Sequence, residues 1–271
     1  MGFIGDKLSR AREALHVLSS HAGDLRSRAV LAGCYAAILR DVNDATPVDL
    51  KLKIGGRIFP FHMRRSDLFT VAEILHERQY DLQTPLAEKP VILDGGANVG
   101  VAALWFHACY PGAEIHAFEP EPSNFAFLHR NLADLPGTHL HQAALGDSEE
   151  PVQLHLAEHS AVHSVVDVSV GDTSIEVPCM RLDKYLEEQG IERVNLLKLD
   201  VEGVEDRVIA GLGKRLTDVD VVVGEMHEAF VDADALYARL AEAGIHVLWR
   251  KAFAGAAENQ VHAFEAARAP A

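Results

Sequence analysis

Apolar residues return at steps of three and four along Ile4, Leu8, Ala11, Leu15 and Leu18, and again through Ala29–Leu39. That is the spacing of helices with one apolar face. The period then changes. Val48–Ile54 alternates apolar and polar residues, Gly55-Gly56 interrupts it, and Arg57–Met63 resumes, which predicts a β-hairpin. Leu68, Val71, Ile74 and Leu75 are helical again, with Ser66 or Asp67 as cap and the helix reaching Tyr80. From residue 91 onward short apolar runs alternate with helical stretches. Strands are predicted at Val91–Leu93, Ile115–Phe118, His139–Ala143, Val194–Leu199, Val219–Val223 and Ile245–Trp249. Helices are predicted at Val99–Tyr110, from Pro122 to Leu132, and at Leu182–Gln189, Glu205–Leu212 and Asp232–Ala243. Val152–Leu156 and Ser174–Pro178 alternate as strands around a Ser/His/Val-rich loop, Glu158–Thr173, and Gln260–Phe264 reads as a last strand. Such alternation builds a mainly parallel sheet with helices on both faces.

Two units follow: a helical appendage over residues 1–46, closed by the turn cluster Asn43–Pro47, and an α/β domain over residues 47–271. The appendage covers the domain or a second subunit, the latter giving a homo-oligomer through the N-terminal helices.

Composition narrows the function classes. The net charge of −15 argues against a general polyanion binder, because nucleic-acid affinity rests on neutralised phosphates. No run of signal or transmembrane length occurs, since Asp6, Lys7, Arg10, Arg12 and Glu13 break the N-terminal stretch. Neither a nucleic-acid nor a membrane partner is expected. Cys34, Cys109 and Cys179 are far apart and odd in number, so reduced thiols in the cytoplasm are expected rather than a disulfide framework.

The chemistry gathers at the strand ends. Val91–Leu93 runs into Asp94-Gly95-Gly96-Ala97-Asn98-Val99-Gly100 and then a helix, and the next strand ends at Glu119-Pro120. A glycine turn of this kind admits a dinucleotide or S-adenosylmethionine. The glycines do not keep the G-x-G-x-x-G spacing of a pyrophosphate site. Asp94 beside the turn suits a ligand carrying an ammonium or sulfonium, and Glu119 suits two ribose hydroxyls on either ligand.

The order and spacing of Asp94–Gly100, Phe118-Glu119-Pro120, Ala144-Leu145-Gly146-Asp147, Leu182-Asp183 and Lys198–Glu205 resemble the FkbM family of S-adenosylmethionine-dependent methyltransferases. The helix after Arg65-Ser66-Asp67 that ends at Tyr80 is similar as well, and the likeness spans roughly residues 60 to 230. It implies a class I methyltransferase fold, Rossmann-like and doubly wound, with seven strands and an antiparallel last strand. It also implies S-adenosylmethionine as cofactor and O-methylation of a small-molecule hydroxyl on a natural product or sugar. On this likeness Asp94, Gly95, Gly96, Asn98 and Gly100 cradle the cofactor's methionine part. Glu119 and Pro120 lie at its ribose, Asp147 beside the adenine, and Ser164 and Asp200 within its reach.

Hydroxyl methylation needs a proton acceptor. Asp200, Glu202, Glu225 and His227 follow the fourth and fifth core strands and are expected to converge, with His227 or Asp200 as the base. Their spacing lacks the regularity of a dedicated metal site, so no metal is expected. The fifteen histidines, including His139 and His141 on one strand face, read as ordinary surface or packed residues. A dinucleotide-dependent oxidoreductase and a cofactor-binding module without catalysis are the alternatives.

Overall fold

Alternation within a strand buried on both faces separates the two halves of the core. Along β3 (Val91–Gly95) and β10 (Val194–Leu199), Ile92 and Leu196 pack to one side, and Leu93, Leu197 and Leu199 to the other. In the computed structural model, which describes residues 12–156, 173–252 and 260–269, these strands sit at the centre of a seven-stranded sheet. The remaining members are β4 (Glu114–Phe118), β5 (Thr138–His141), β11 (Val219–His227), β12 (Ile245–Ala252) and β13 (Val261–Arg268). Their order is β12-β13-β11-β10-β3-β4-β5. All neighbours are parallel except β13, which runs antiparallel to both β11 and β12. The expected antiparallel last strand is therefore present, inserted between the two strands that precede it in the chain. The class I methyltransferase topology is met.

Two helical layers cover the sheet. One face carries α1 (Leu25–Ile38), α2 (Leu68–Leu75), α3 (Val101–Cys109) and α4 (Pro122–Leu132), together with the hairpin of β1 (Pro47–Ile54) and β2 (Arg57–Arg64). The other carries α5 (Leu182–Glu188), α6 (Glu205–Leu212) and α7 (Ala233–Glu242). Every residue from Val101 to Ala108 is buried, as a helix apolar all round must be. Two short pairs complete the fold: β6 (Ala144–Leu145) with β9 (Cys179–Met180), and β7 (Val152–Leu156) with β8 (Thr173–Val177).

Three expectations are adjusted. The N-terminal helical pattern is interrupted by a π-helical turn at Val17–His21 and an extended step. Ala22 bridges Leu52, and Gly23 donates its N–H to the Lys51 carbonyl. A Cβ at Gly23 would lie 2.8 Å from that of Lys51, so the close approach requires glycine, and Asp24 then caps α1 through the Ser27 N–H. The helix expected to reach Tyr80 ends at Leu75. Asp67 does not cap it, because its carboxylate accepts the Arg64 N–H at 2.7 Å instead. The loop Glu158–Thr173 and Ser164 within it lie outside the described residues, apart from Thr173.

The segment between α2 and β3 is held by one buried carboxylate. Glu265 on β13 accepts the N–H groups of Gln83 and Thr84 and the Trp249 indole, each within 2.9 Å. This places Tyr80 and Gln79 over the sheet.

Candidate active site

The chain runs from β3 outward to β5, then returns to lay β10 on the other side of β3. Strand order reverses there, and a crevice opens at the carboxyl ends of the two strands. Parallel register sets Lys198 opposite Asp94, and alternation points both to the same face. Both are buried, with Lys198 Nζ 3.0 Å from Asp94 Oδ1 and 3.7 Å from Asp200 Oδ2. The ammonium also donates to the carbonyls of Gly95 and Gly96, at 3.2 and 2.7 Å. Tyr80 completes the cluster: its hydroxyl donates to Asp200 Oδ2 at 2.9 Å, and its ring centre lies 5.5 Å from Nζ. Burial disfavours the Lys198 charge, but Asp94 and Asp200 outweigh it and hold the ammonium above its ordinary range. Burial likewise pushes the Asp94 carboxyl up, against the pull of Lys198.

The glycine turn needs glycine at one position above all. Gly96 has φ +73°, and a Cβ on it would stand 1.8 Å from the Asp200 carbonyl oxygen. Gly96→Ala is expected to cost roughly 1–3 kcal/mol in backbone strain alone, with more from displacing the Asp200 main chain. A thermal melt would read it; an unchanged midpoint would refute the tight approach of the two strand tips.

Glu119 ends β4 at the crevice. Its carboxylate accepts the Asn98 and Glu121 N–H groups, at 2.8 and 2.9 Å. Burial pushes this carboxyl up to about 7 despite those bonds. Asn98 beside it adopts φ +50°, and its buried Oδ1 has no protein partner. Gly96, Asn98, Glu119 and Pro120 line the crevice. Ala143, Ala144, Leu145 and Leu154 form an apolar wall beyond them.

Part of the lining is acidic. Asp200, Glu202 and Glu225 face the crevice, as does Glu73 of α2. Glu73 keeps contact with solvent, yet the protein crowded around it, and then the Asp200 charge, push its carboxyl up to about 7. Burial, and then Asp200, raise Glu225 well above the ordinary carboxylate range, and Gln79 Nε2 donates to its Oε1. Glu202 is also raised by burial, with His227 opposing the shift. It is held at φ +54° before Gly203, a conformation rare for a residue with a long side chain.

His227 stands behind this wall. Nδ1 lies 2.8 Å from Glu205 Oε1, and Nε2 lies 3.3 Å from Glu202 Oε2 and 4.0 Å from Glu225 Oε2. Burial alone would lower its pKa, but hydrogen bonds to Glu202 and Glu205 overcome that and push it up to about 11. At neutral pH it is an imidazolium with no lone pair to accept a proton.

The structure thus brings Asp200, Glu202, Glu225 and His227 together and seats Gly96, Asn98, Glu119 and Pro120 on the crevice. It places other predicted residues elsewhere. Asp94 does not face the crevice; it lies beneath the turn, because alternation turns its side chain into the sheet face against Lys198. Gly95 and Gly100 also leave the wall. Gly100 opens α3 at φ +93°, where a Cβ would stand 2.9 Å from Leu128 Cδ1. Asp147 is exposed and outside the wall, next to Gly211 of α6, since β6 has already turned away. His227 is a donor rather than a base, for the electrostatic reason above.

Sequence reasoning has Lys198 point into the sheet region or pair with a carboxylate, and the pairing is met at Asp94; it names Tyr80 only as the end of a helix, and it misses Glu73 and Gln79. A charged residue inside the apolar run Val194–Leu199 was the available signal for Lys198. Glu73, Gln79 and Tyr80 carry no such signal, as they reach the crevice only through the placement of α2 and the segment after it.

A family model described as the methyltransferase FkbM domain matches residues 94–247. Methyltransferase 1 of Beauveria bassiana is 31% identical over 181 residues, covering 58% of this chain and 72% of that protein. The 31-O-demethyl-FK506 methyltransferase FkbM of Streptomyces tacrolimicus is 30% identical over 198 residues, covering 59% and 74%. The 2-O-methyltransferase NoeI of Sinorhizobium fredii is 31% identical over 158 residues, covering 52% and 65%.

Proposed function

The chain belongs to the FkbM methyltransferase family, and on that premise we propose that it transfers a methyl group from S-adenosylmethionine to a hydroxyl of a small molecule. The observation that carries this reading is the pairing, in one crevice, of a hydroxyl-accepting carboxylate with an acidic wall backed by a buried imidazolium. Relatives named for methylation at oxygen support the acceptor class. Family membership leaves no place for the dinucleotide-dependent alternative.

The residues present fit the cofactor. The Gly96 approach leaves no room for a side chain between turn and strand tip. Asn98 Oδ1 is an unused acceptor, Glu119 offers two oxygens to hydroxyl donors, and the acidic lining favours a cationic ligand. Bound there, S-adenosylmethionine supplies a methyl carbon activated by its sulfonium. The protein's own contribution is alignment, exclusion of water and acceptance of the hydroxyl proton.

Glu202 takes the proton in this reading. It faces the crevice, its raised pKa brings its basicity nearer to neutral pH, and the imidazolium behind it orients it and opposes the shift by favouring the ionised form. His227 is a positioning residue, fixed in turn by Glu205. Burial and the Asp200 charge favour the neutral form of Glu225, the form that can donate a hydrogen bond.

Calorimetry with S-adenosylmethionine tests the proposal directly. Glu119→Gln is expected to weaken binding roughly tenfold to a hundredfold, the range for hydrogen bonds to a charged group. The sign of the pH dependence follows from the raised carboxyl. Hydroxyl donors favour the ionised form of Glu119, so affinity is greatest above pH 7 and falls as pH drops through about 7. Absence of binding by the wild-type chain would overturn the reading.

A further inference from the structure

Parallel pairing of β4 with β5 sets His116 directly opposite His139, and alternation brings Glu114 onto the same face two residues earlier. The three donor atoms, Glu114 Oε1, His116 Nε2 and His139 Nε2, lie within 4.8 Å of one another. Glu114 Oε1 is 3.5 Å from His116 Nε2 and 3.2 Å from His139 Nε2. The imidazole rings stack at 4.5 Å with an interplanar angle of 11°. This group sits at the free edge of the sheet, toward the starts of β4 and β5. The crevice lies at the other end of the same strands, beyond Glu119.

We propose that Glu114, His116 and His139 form a binding site for a zinc ion. Tetrahedral zinc with bonds of 2.0–2.1 Å sets neighbouring donors about 3.3 Å apart, and the two carboxylate–imidazole separations straddle that value. His139 is half exposed, so its ring turns to close the remaining edge. Two imidazoles and one carboxylate are the donor set of a borderline divalent ion, not of magnesium or calcium. The half-exposed Glu114 and His139 leave the fourth position open to water.

An independent observation points the same way. His116 is 1% exposed, and its Nε2 has no hydrogen-bond partner. Its other ring nitrogen does have one: Nδ1 lies 2.7 Å from the Tyr185 hydroxyl, which lies 2.7 Å from His141 Nε2. Two assignments satisfy this chain. In one the Tyr185 O–H donates to His116 Nδ1, and His116 Nε2 carries its proton toward Glu114. In the other His116 Nδ1–H donates to the Tyr185 oxygen and the Tyr185 O–H donates to His141 Nε2, which aims the His116 Nε2 lone pair at the Glu114 carboxylate. A bound cation selects the second, and Tyr185 then supplies the outer hydrogen bond that metal-bound histidines ordinarily make. The ion would tie the edge strand β5 to β4.

The test uses the full chain after dialysis against a chelator. Zinc is titrated in competition with a chromophoric chelator, and cobalt(II) is added separately to read its d–d absorption. One equivalent of zinc per chain is expected at about micromolar free metal, together with a thermal midpoint that rises with zinc. His139→Ala and Glu114→Gln, both half exposed and remote from the crevice, are expected to abolish the equivalent and the cobalt bands while keeping the circular dichroism of the wild type. Tyr185→Phe is expected to weaken binding roughly tenfold. Sub-stoichiometric uptake by the wild-type chain, or uptake that survives in both His139→Ala and Glu114→Gln, would overturn the proposal.

Discussion

Lys198→Met is expected to lower stability by about 3–5 kcal/mol, the cost of removing one partner from a buried ion pair. The methionine fills much of the same volume, so the loss is electrostatic. Asp94, fully buried, is left without its cation, and the carbonyls of Gly95 and Gly96 lose their donor. The pH dependence of the deficit identifies its source. Without Lys198 the folded-state pKa of Asp94 lies still further above its unfolded value. A raised carboxyl contributes stability below the unfolded pKa and loses it as pH rises through the folded pKa. The deficit therefore grows as pH rises toward the folded-state pKa of Asp94 and shrinks as pH falls towards the ordinary aspartate range. Adding Asp94→Asn removes the stranded carboxyl and is expected to recover most of the loss at pH 7. Urea unfolding of the single and double variants reads all of this. A single variant within about 0.5 kcal/mol of wild type, the range of ordinary surface changes, would show that the pair is not the keystone of the strand tips.

The second large effect is on turnover. Glu202→Gln keeps the shape of the side chain and removes its capacity to take a proton, so kcat is expected to fall by roughly 10²–10⁴. Binding of S-adenosylmethionine should change little, because the substitution leaves Glu119 and the glycine turn intact. In the wild type, activity should rise with pH through the raised Glu202 pKa, and that acid limb should vanish in the variant. Release of S-adenosylhomocysteine across a panel of hydroxylated acceptors is the measurement. Unchanged turnover would exclude Glu202 as proton acceptor.

The left-handed backbone at Glu202 fits this role. Strained conformations at non-glycine residues persist where surrounding structure imposes them, often at functional sites. Here Gly203 follows at φ +97°, and Glu205 binds the Gly203 N–H at 3.1 Å while holding His227. The same carboxylate thus shapes the turn and orients the imidazolium.

Much was legible in residues 91–249, where hydrophobic runs and glycine positions are local signals. They gave the strand and helix alternation, the crevice at the Gly96 turn, and the gathering of Asp200, Glu202, Glu225 and His227; the antiparallel last strand came only from the family resemblance. A period of two or 3.6 is written in neighbouring residues, and it has few ways to be satisfied once the core is buried. What stayed hidden depended on register and charge environment. Asp94 looked like a ligand contact because it precedes the glycines, but pairing with β10 aims it at Lys198. His227 looked like a base because free imidazole titrates near neutrality, but two carboxylates from another segment hold it protonated. His116 and His139 looked like scattered histidines, 23 positions apart, until parallel pairing set them face to face beside Glu114. Local pattern determined where the chain would bend, bury and open a crevice. Protonation states, ion pairs and donor clusters arose from contacts between distant strands, because electrostatic energy depends on distance and burial in space, and the order of residues along the chain encodes neither directly.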